Sequence, residues 1–290
     1  MSTSNDPFRS ILVTPEEFHN AVHSSVRRII PVAAGGEQLL ASYEKQHIPG
    51  SVFFNMDVIK DGASPYPQML PTASHFATCM GELGIKPDDT LVVYDAVEIG
   101  MYSAPRVAWT CQLFGHDSVH VLNNFRLYTE QGYPISEGRL SALPETVYPI
   151  HELDANQVIA FDELRDTILQ RSTDYQIIDA RVPGRFSGTQ GEADPSLRSG
   201  HMPSAVNIPL AAMLDTESKA FLPFSDLRSL FVKAGIHGRS PVILTCNSGV
   251  TATALDLGLR ETGFDMDRKV YDGSWMEWTR RAEDDLVVID

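Results

Sequence analysis

The chain has 290 residues, 43% of them hydrophobic and 21% charged, with a formal net charge of −15. That length holds one large domain or two of ordinary size, and the composition is that of a globular protein able to bury a core. The acidic balance argues against non-specific binding to nucleic acid or anionic membranes, and a small anionic ligand would need local Arg or Lys side chains or backbone N–H groups to hold it.

The three cysteines, Cys79, Cys111 and Cys246, form neither a disulfide framework nor a C-x-x-C pair, so a reducing compartment and no metal site are expected. No apolar run reaches membrane-spanning length. The opening MSTSNDPFRS lacks the apolar stretch of a secretory signal. A cytoplasmic location is expected, with a short mitochondrial presequence around Arg9 as the alternative.

In chain order, residues 11–13 read as a strand. Thr14-Pro15-Glu16-Glu17 then supplies an N-cap, a proline in the first turn and Glu at N3, the capping box that opens a helix. His47-Ile48-Pro49-Gly50-Ser51-Val52 follows, and later the strand-like LVVYD ending at Asp95. Cys79 and Cys111 fall in helix-like segments, ATCMGELG and RVAWTCQLFG, where core roles are expected. VHVLNN ends at Asn124. Residues 143–156 contain two prolines and no sustained period, and read as a linker.

Beyond it the pattern starts again. FDELRDTILQ reads as a helix before the strand YQIIDA. His201-Met202-Pro203-Ser204-Ala205-Val206 repeats the earlier histidine segment, VILTC ending at Cys246 repeats LVVYD, and RKVYDG repeats VHVLNN, all at offsets of about 150 residues. Two tandem α/β domains are therefore predicted, each a small, mostly parallel sheet flanked by helices. The boundaries are residues 1–142, a linker at 143–157, and residues 158–290.

Cys246-Asn247-Ser248-Gly249-Val250-Thr251 lies between an apolar strand and the helical run ATALDLGLRETG. Open α/β sheets bind ligands at such strand ends. A short loop containing glycine can aim successive N–H groups inward, and the helix N-terminus adds positive potential, so an anionic, nucleophilic sulfur is favoured at Cys246. The hydroxyls of Ser248 and Thr251 are further donors. From position alone, a buried and inert cysteine is about as good an account.

The loop CNSGVTA, together with HIPGSVFF, SPYPQMLP, SAPRVAW, FGHDSVHVLN, DARVPGRFSGT, SGHMPSAVNIP and YDGSWMEW, resembles the tandem-domain rhodanese superfamily of sulfurtransferases over nearly the whole chain. Within it the loop is similar to that of the 3-mercaptopyruvate sulfurtransferases, usually C-G-S-G-V-T; thiosulfate sulfurtransferases usually show C-R-K-G-V-T. The resemblance implies that Cys246 takes sulfur from a small anionic donor as a persulfide and passes it to cyanide or to a thiol such as thioredoxin or glutathione. Cysteine breakdown is among the pathways this would serve. No cofactor is implied.

The resemblance also implies that Arg185, in DARVPGRF, binds the donor, with Asn247, Gly249 and Val250 forming the loop around it. A neutral Asn-Ser pair after the cysteine suits a monoanionic carboxylate better than a dianion, which favours mercaptopyruvate over thiosulfate. Asp95 stands where the first domain would carry a cysteine, so that domain is expected to be catalytically silent. The second donor arginine of the family falls at Asp194, leaving Arg198 either as a displaced replacement or as an exposed loop charge. Ser248 and Asp57 match two members of a Ser–His–Asp relay, but the histidine position is Gln68, which cannot transfer protons near neutral pH.

The remaining candidates read as structural. Asp179 and Arg181 are expected to form an ion pair, His47 and His201 to serve a repeated turn, and Trp275 and Trp278 to lie in the core. A phosphatase relative would need an Arg six residues after the cysteine, where Ala252 stands. A non-enzymatic binding module is the remaining rival.

Overall fold

The computed structural model describes residues 6–170 and 175–290; the first five residues of the segment weighed above as a presequence lie outside them. The chain divides into two compact units. Unit 1 takes the chain to Gly62, then Leu70–Asp154 and Glu217–Ala220; unit 2 takes Ala63–Met69, Ala155–Thr216 and Phe221–Asp290.

Unit 1 runs β1 (Leu12–Val13), α1 (Pro15–Ser24), β2 (Ile29–Gly35), α2 (Leu40–Lys45), β3 (Val52–Asn55), α3 (Ala73–Glu82), β4 (Thr90–Tyr94), α4 (Ala104–Leu113), β5 (Val119–Leu122) and α5 (Phe125–Glu130). Its sheet has the order β1-β5-β4-β2-β3, parallel throughout. The predicted capping box is present: the Thr14 hydroxyl accepts from the Glu17 N–H and the Glu17 carboxylate accepts from the Thr14 N–H. Pro31 is tolerated inside β2 because pairing with β3 begins only at Val32, leaving the proline with a neighbour on one side.

Unit 2 repeats the path with β6 (Val158–Ile159), α6 (Phe161–Leu169), β7 (Gln176–Asp179), α7 (Pro183–Ser187), β8 (Val206–Asn207), α8 (Phe224–Lys233), β9 (Val242–Thr245), α9 (Ala252–Glu261), β10 (Arg268–Tyr271) and α10 (Ser274–Arg281). Its sheet, β6-β10-β9-β7-β8, is again parallel. The expected α/β architecture with two tandem sheets is thus the observed one.

Both middle strands, β4 and β9, are buried at every residue, as parallel strands covered by helices on both faces must be. Around them lie two cores, one holding Phe18, Tyr43, Tyr94 and Phe125, the other Phe161, Tyr271, Trp275 and Trp278. The paired histidines play one structural part twice. His47 and His201 each sit in an isolated antiparallel bridge, with Nδ1 2.8 Å from the Tyr43 carbonyl and 3.0 Å from the Phe186 carbonyl respectively.

Residues 143–154 form no helix or strand. They are nonetheless fixed on unit 1: Thr146 donates to the Gly81 and Ile85 carbonyls, Tyr148 bonds His116, and the Asp154 N–H reaches Leu113. Among the described residues no helix is long and apolar enough to cross a membrane.

Candidate active site

Cys246 is the first residue past the carboxyl end of β9, the middle strand of the unit 2 sheet. It is 2% exposed. The loop that follows is held from one side by α10. The N–H groups of Trp275 and Met276 donate to the carbonyls of Cys246 (3.0 Å) and Asn247 (2.9 Å), and the Cys246 N–H donates to the Ser274 hydroxyl (3.2 Å). These bonds satisfy donors that the first turn of a helix otherwise leaves unpaired.

They also orient the loop. In a trans peptide the carbonyl and the next N–H point in opposite directions, so pinning the two carbonyls toward α10 turns the N–H groups of Asn247 and Ser248 away from it. Neither N–H meets a protein acceptor among the described residues. Gly249 takes φ +77°, which closes the turn and which an L side chain would strain. Ser274, at φ +48°, is a non-glycine residue held in the same left-handed region.

Val250 is buried, while Ser248 and Thr251 are partly exposed. Thr251 precedes α9 without capping it, and neither hydroxyl hydrogen-bonds the protein among the described residues. The side-chain oxygens of Thr245 and Asn247 are buried without partners. The sequence neighbours of Cys246 therefore include uncommitted N–H groups, uncommitted hydroxyls and the amino end of a ten-residue helix, all suited to a small anion.

Arg185 lies in α7, which follows β7, the strand paired to β9 with Asp179 opposite Thr245. Its side chain is 28% exposed and its Nε is buried without a hydrogen bond, 3.7 Å from the Glu192 carboxylate. Behind it stands a buried cluster. Arg181 makes a bidentate pair with Asp179, donates from Nη1 to Glu192 (2.9 Å) and from Nη2 to the Gly200 carbonyl, and lies 3.9 Å over the Trp275 ring. Burial pushes the Glu192 carboxyl above its ordinary value, against the pull of Arg181 and Arg185. The expected Asp179–Arg181 pair is present; Glu192 was not singled out from the sequence, where one acidic residue in a polar loop reads as a solvated charge.

Arg198 is committed elsewhere. Its Nε and Nη2 donate to the Thr279 carbonyl, Nη2 also to Ala282, and Nη1 pairs with Asp284 at 2.8 Å. The guanidinium thus covers the carboxyl end of α10, where a cation is favoured. Asp194 accepts from Ser196 and pairs with Arg280 at 3.0 Å. The Ser196 bonds, with Arg280, hold its carboxyl below the usual range. Gln68 belongs to a segment grouped with unit 2, whereas Asp57 belongs to unit 1 and accepts from the Glu37 N–H.

Asp95 occupies in unit 1 the place of Cys246 in unit 2, one residue past the middle strand. It is 1% exposed, and its carboxylate accepts the N–H groups of Tyr102 (2.8 Å), Ser103 (2.7 Å) and Ala104 (3.0 Å) at the start of α4. Burial nevertheless pushes its pKa up to about 6, the three N–H bonds lowering it less than desolvation raises it. Cys79 and Cys111 are buried in α3 and α4; burial raises both thiols, that of Cys111 to about 12. Among the described residues no group of three or more His, Cys, Asp or Glu is placed to hold a metal ion.

The family described as the rhodanese-like domain matches twice, at residues 14–125 and 161–281. The chain is 38% identical over 254 residues to the 3-mercaptopyruvate sulfurtransferase of Rattus norvegicus, covering 87% of this chain and 84% of the relative. It is also 38% identical over 241 residues to the thiosulfate sulfurtransferase of Gallus gallus, covering 83% and 81%. The crystal structure of the Tum1 protein from Saccharomyces cerevisiae superposes with a TM-score of 0.90 at 31% identity, covering 97% of this chain and 98% of that one.

Proposed function

The chain belongs to the rhodanese family and is a sulfurtransferase, and from that premise we propose that it draws sulfur from 3-mercaptopyruvate through a persulfide on Cys246. The observation that carries this reading is the placement of Cys246 at the end of β9, beside outward-turned N–H groups and the amino end of α9.

In the first step the Cys246 thiolate attacks the donor sulfur. The carbon–sulfur bond breaks, the pyruvate enolate leaves and takes up a proton, and the sulfur stays as Cys246–S–S⁻. An acceptor thiolate or cyanide then attacks the outer sulfur and releases the Cys246 thiolate, so no external oxidant or reductant enters. The N–H groups of Asn247 and Ser248 and the hydroxyls of Ser248 and Thr251 stabilise the anionic persulfide, as an oxyanion hole stabilises oxygen. Gly249 and Val250 shape the turn. The two Nη groups of Arg185 grip the donor carboxylate as a fork. Arg198, spent on α10, takes no part, and unit 1, with Asp95 in the equivalent place, takes no sulfur.

A second reading, thiosulfate as donor, draws support from the equal identity to the chicken thiosulfate sulfurtransferase. The test is steady-state transfer from both donors to a dithiol, for the native chain and Cys246→Ser. Mercaptopyruvate turnover that vanishes in the variant, with an intact mass heavier by one sulfur after donor alone, is the expected result. Turnover that survives Cys246→Ser, or none with either donor, would overturn the assignment.

A further inference from the structure

Arg185 and Glu192 each carry a buried polar atom without a hydrogen-bond partner, Nε of the arginine and Oε2 of the carboxylate. These two atoms face one another at 3.7 Å. The other carboxylate oxygen is taken by Arg181 at 2.9 Å, and the Glu192 side chain is 1% exposed. The chain between the two residues turns tightly: Gly188 ends α7 at φ +83°, and the Gln190 N–H donates back to the Gly184 carbonyl at 2.8 Å. A side chain at Gly184 would collide with Gln190.

From this arrangement we infer that Glu192 is a positioning residue for Arg185, holding the guanidinium by its Nε–H so that the two Nη groups present an open fork to the donor carboxylate. The inference rests on the reading that Arg185 grips the donor. A guanidinium offers its Nε edge and its Nη edge to different partners, and among the described residues neither Nη of Arg185 has one. Buried donors and acceptors left unpaired are costly, so a shift of less than an ångström that closes the 3.7 Å gap satisfies both atoms at once. Arg181, fixed between Asp179 and the Trp275 ring, anchors the far side of the carboxylate.

The test is a double-mutant cycle on the full chain, reading KM and kcat for mercaptopyruvate with a dithiol acceptor. Glu192→Gln keeps the oxygen that Arg181 uses but turns an N–H toward the Arg185 Nε–H. It should raise the donor KM about five- to tenfold, with kcat changed by less than about twofold. Arg185→Lys, which lacks an Nε–H at that place, should raise the donor KM by itself. In the Arg185→Lys background, Glu192→Gln should then add less than about twofold.

An equal effect of Glu192→Gln in both backgrounds would mean that Glu192 acts only through Arg181, and would overturn the inference while leaving Arg185 its role. A donor KM untouched by Arg185→Lys would instead remove the reading beneath it. Should Glu192→Gln fail to fold, the Arg185 Nε–H resonance of the native protein decides, identified by its loss in Arg185→Lys. Slowed exchange with water supports the contact, and exchange as fast as that of a free guanidinium refutes it.

Discussion

Removing the charge at Asp95 should flatten part of the pH dependence of stability. Asp95 is fully buried, and its pKa rises from 3.8 to about 6 on folding because desolvation outweighs the three N–H bonds from Tyr102, Ser103 and Ala104. That rise is worth about 3 kcal/mol. The folded chain holds the proton more tightly than the unfolded chain, so the contribution is fully present below 3.8 and is lost as pH climbs through about 6. Asp95→Asn is close in shape and does not titrate. Urea unfolding of both proteins from pH 4 to pH 7.5 isolates the term, because every other ionising group is common to the pair. The variant should gain about 2.4 kcal/mol relative to the native chain over that range, the remainder of the ~3 kcal/mol lying below pH 4. A flat difference, or one that falls with pH, would show that the N–H bonds win over burial and would refute the reasoning.

Two further outcomes separate structural from chemical roles. Arg198→Met keeps the aliphatic stem but abandons the Thr279 and Ala282 carbonyls and Asp284; it should cost about 2–3 kcal/mol by denaturant titration. The donor KM should stay within about twofold of the native value, since a larger rise would return Arg198 to the site. Replacing Asn247 and Ser248 together by Arg and Lys should move the kcat/KM ratio toward thiosulfate by about tenfold, the worth of added positive charge facing the second charge of a dianion in a wet site. An unchanged ratio would undo the charge argument for donor choice.

Much of the fold was legible because it obeys local rules. The Thr14–Glu17 capping box, the apolar runs that became β4 and β9, and the glycine-bearing turn after Cys246 all follow from spacing and residue type. The repeat was legible because matching segments recur at offsets of about 150 residues, and the two sheets they build share one strand order. What stayed hidden depends on contacts far apart in sequence. Arg198 meets α10 some eighty residues later, a pairing that no spacing announces. Glu192 looks like any loop carboxylate until burial and two arginines surround it. The Asp95 loop also departs from its counterpart, with α4 starting at Ala104 but α9 already at Ala252, six residues after its cysteine. The longer stretch gives the carboxylate its three N–H partners, and the sequence shows only an aspartate in place of a cysteine.

The division of the chain into units bears on where its gene could be cut. Residues Ala63–Met69 come from the first copy yet count with unit 2, and Glu217–Ala220 come from the second yet count with unit 1. A gene split at Asp154 would therefore encode two products, each missing a piece that the other carries. Neither product would carry every residue of its own unit.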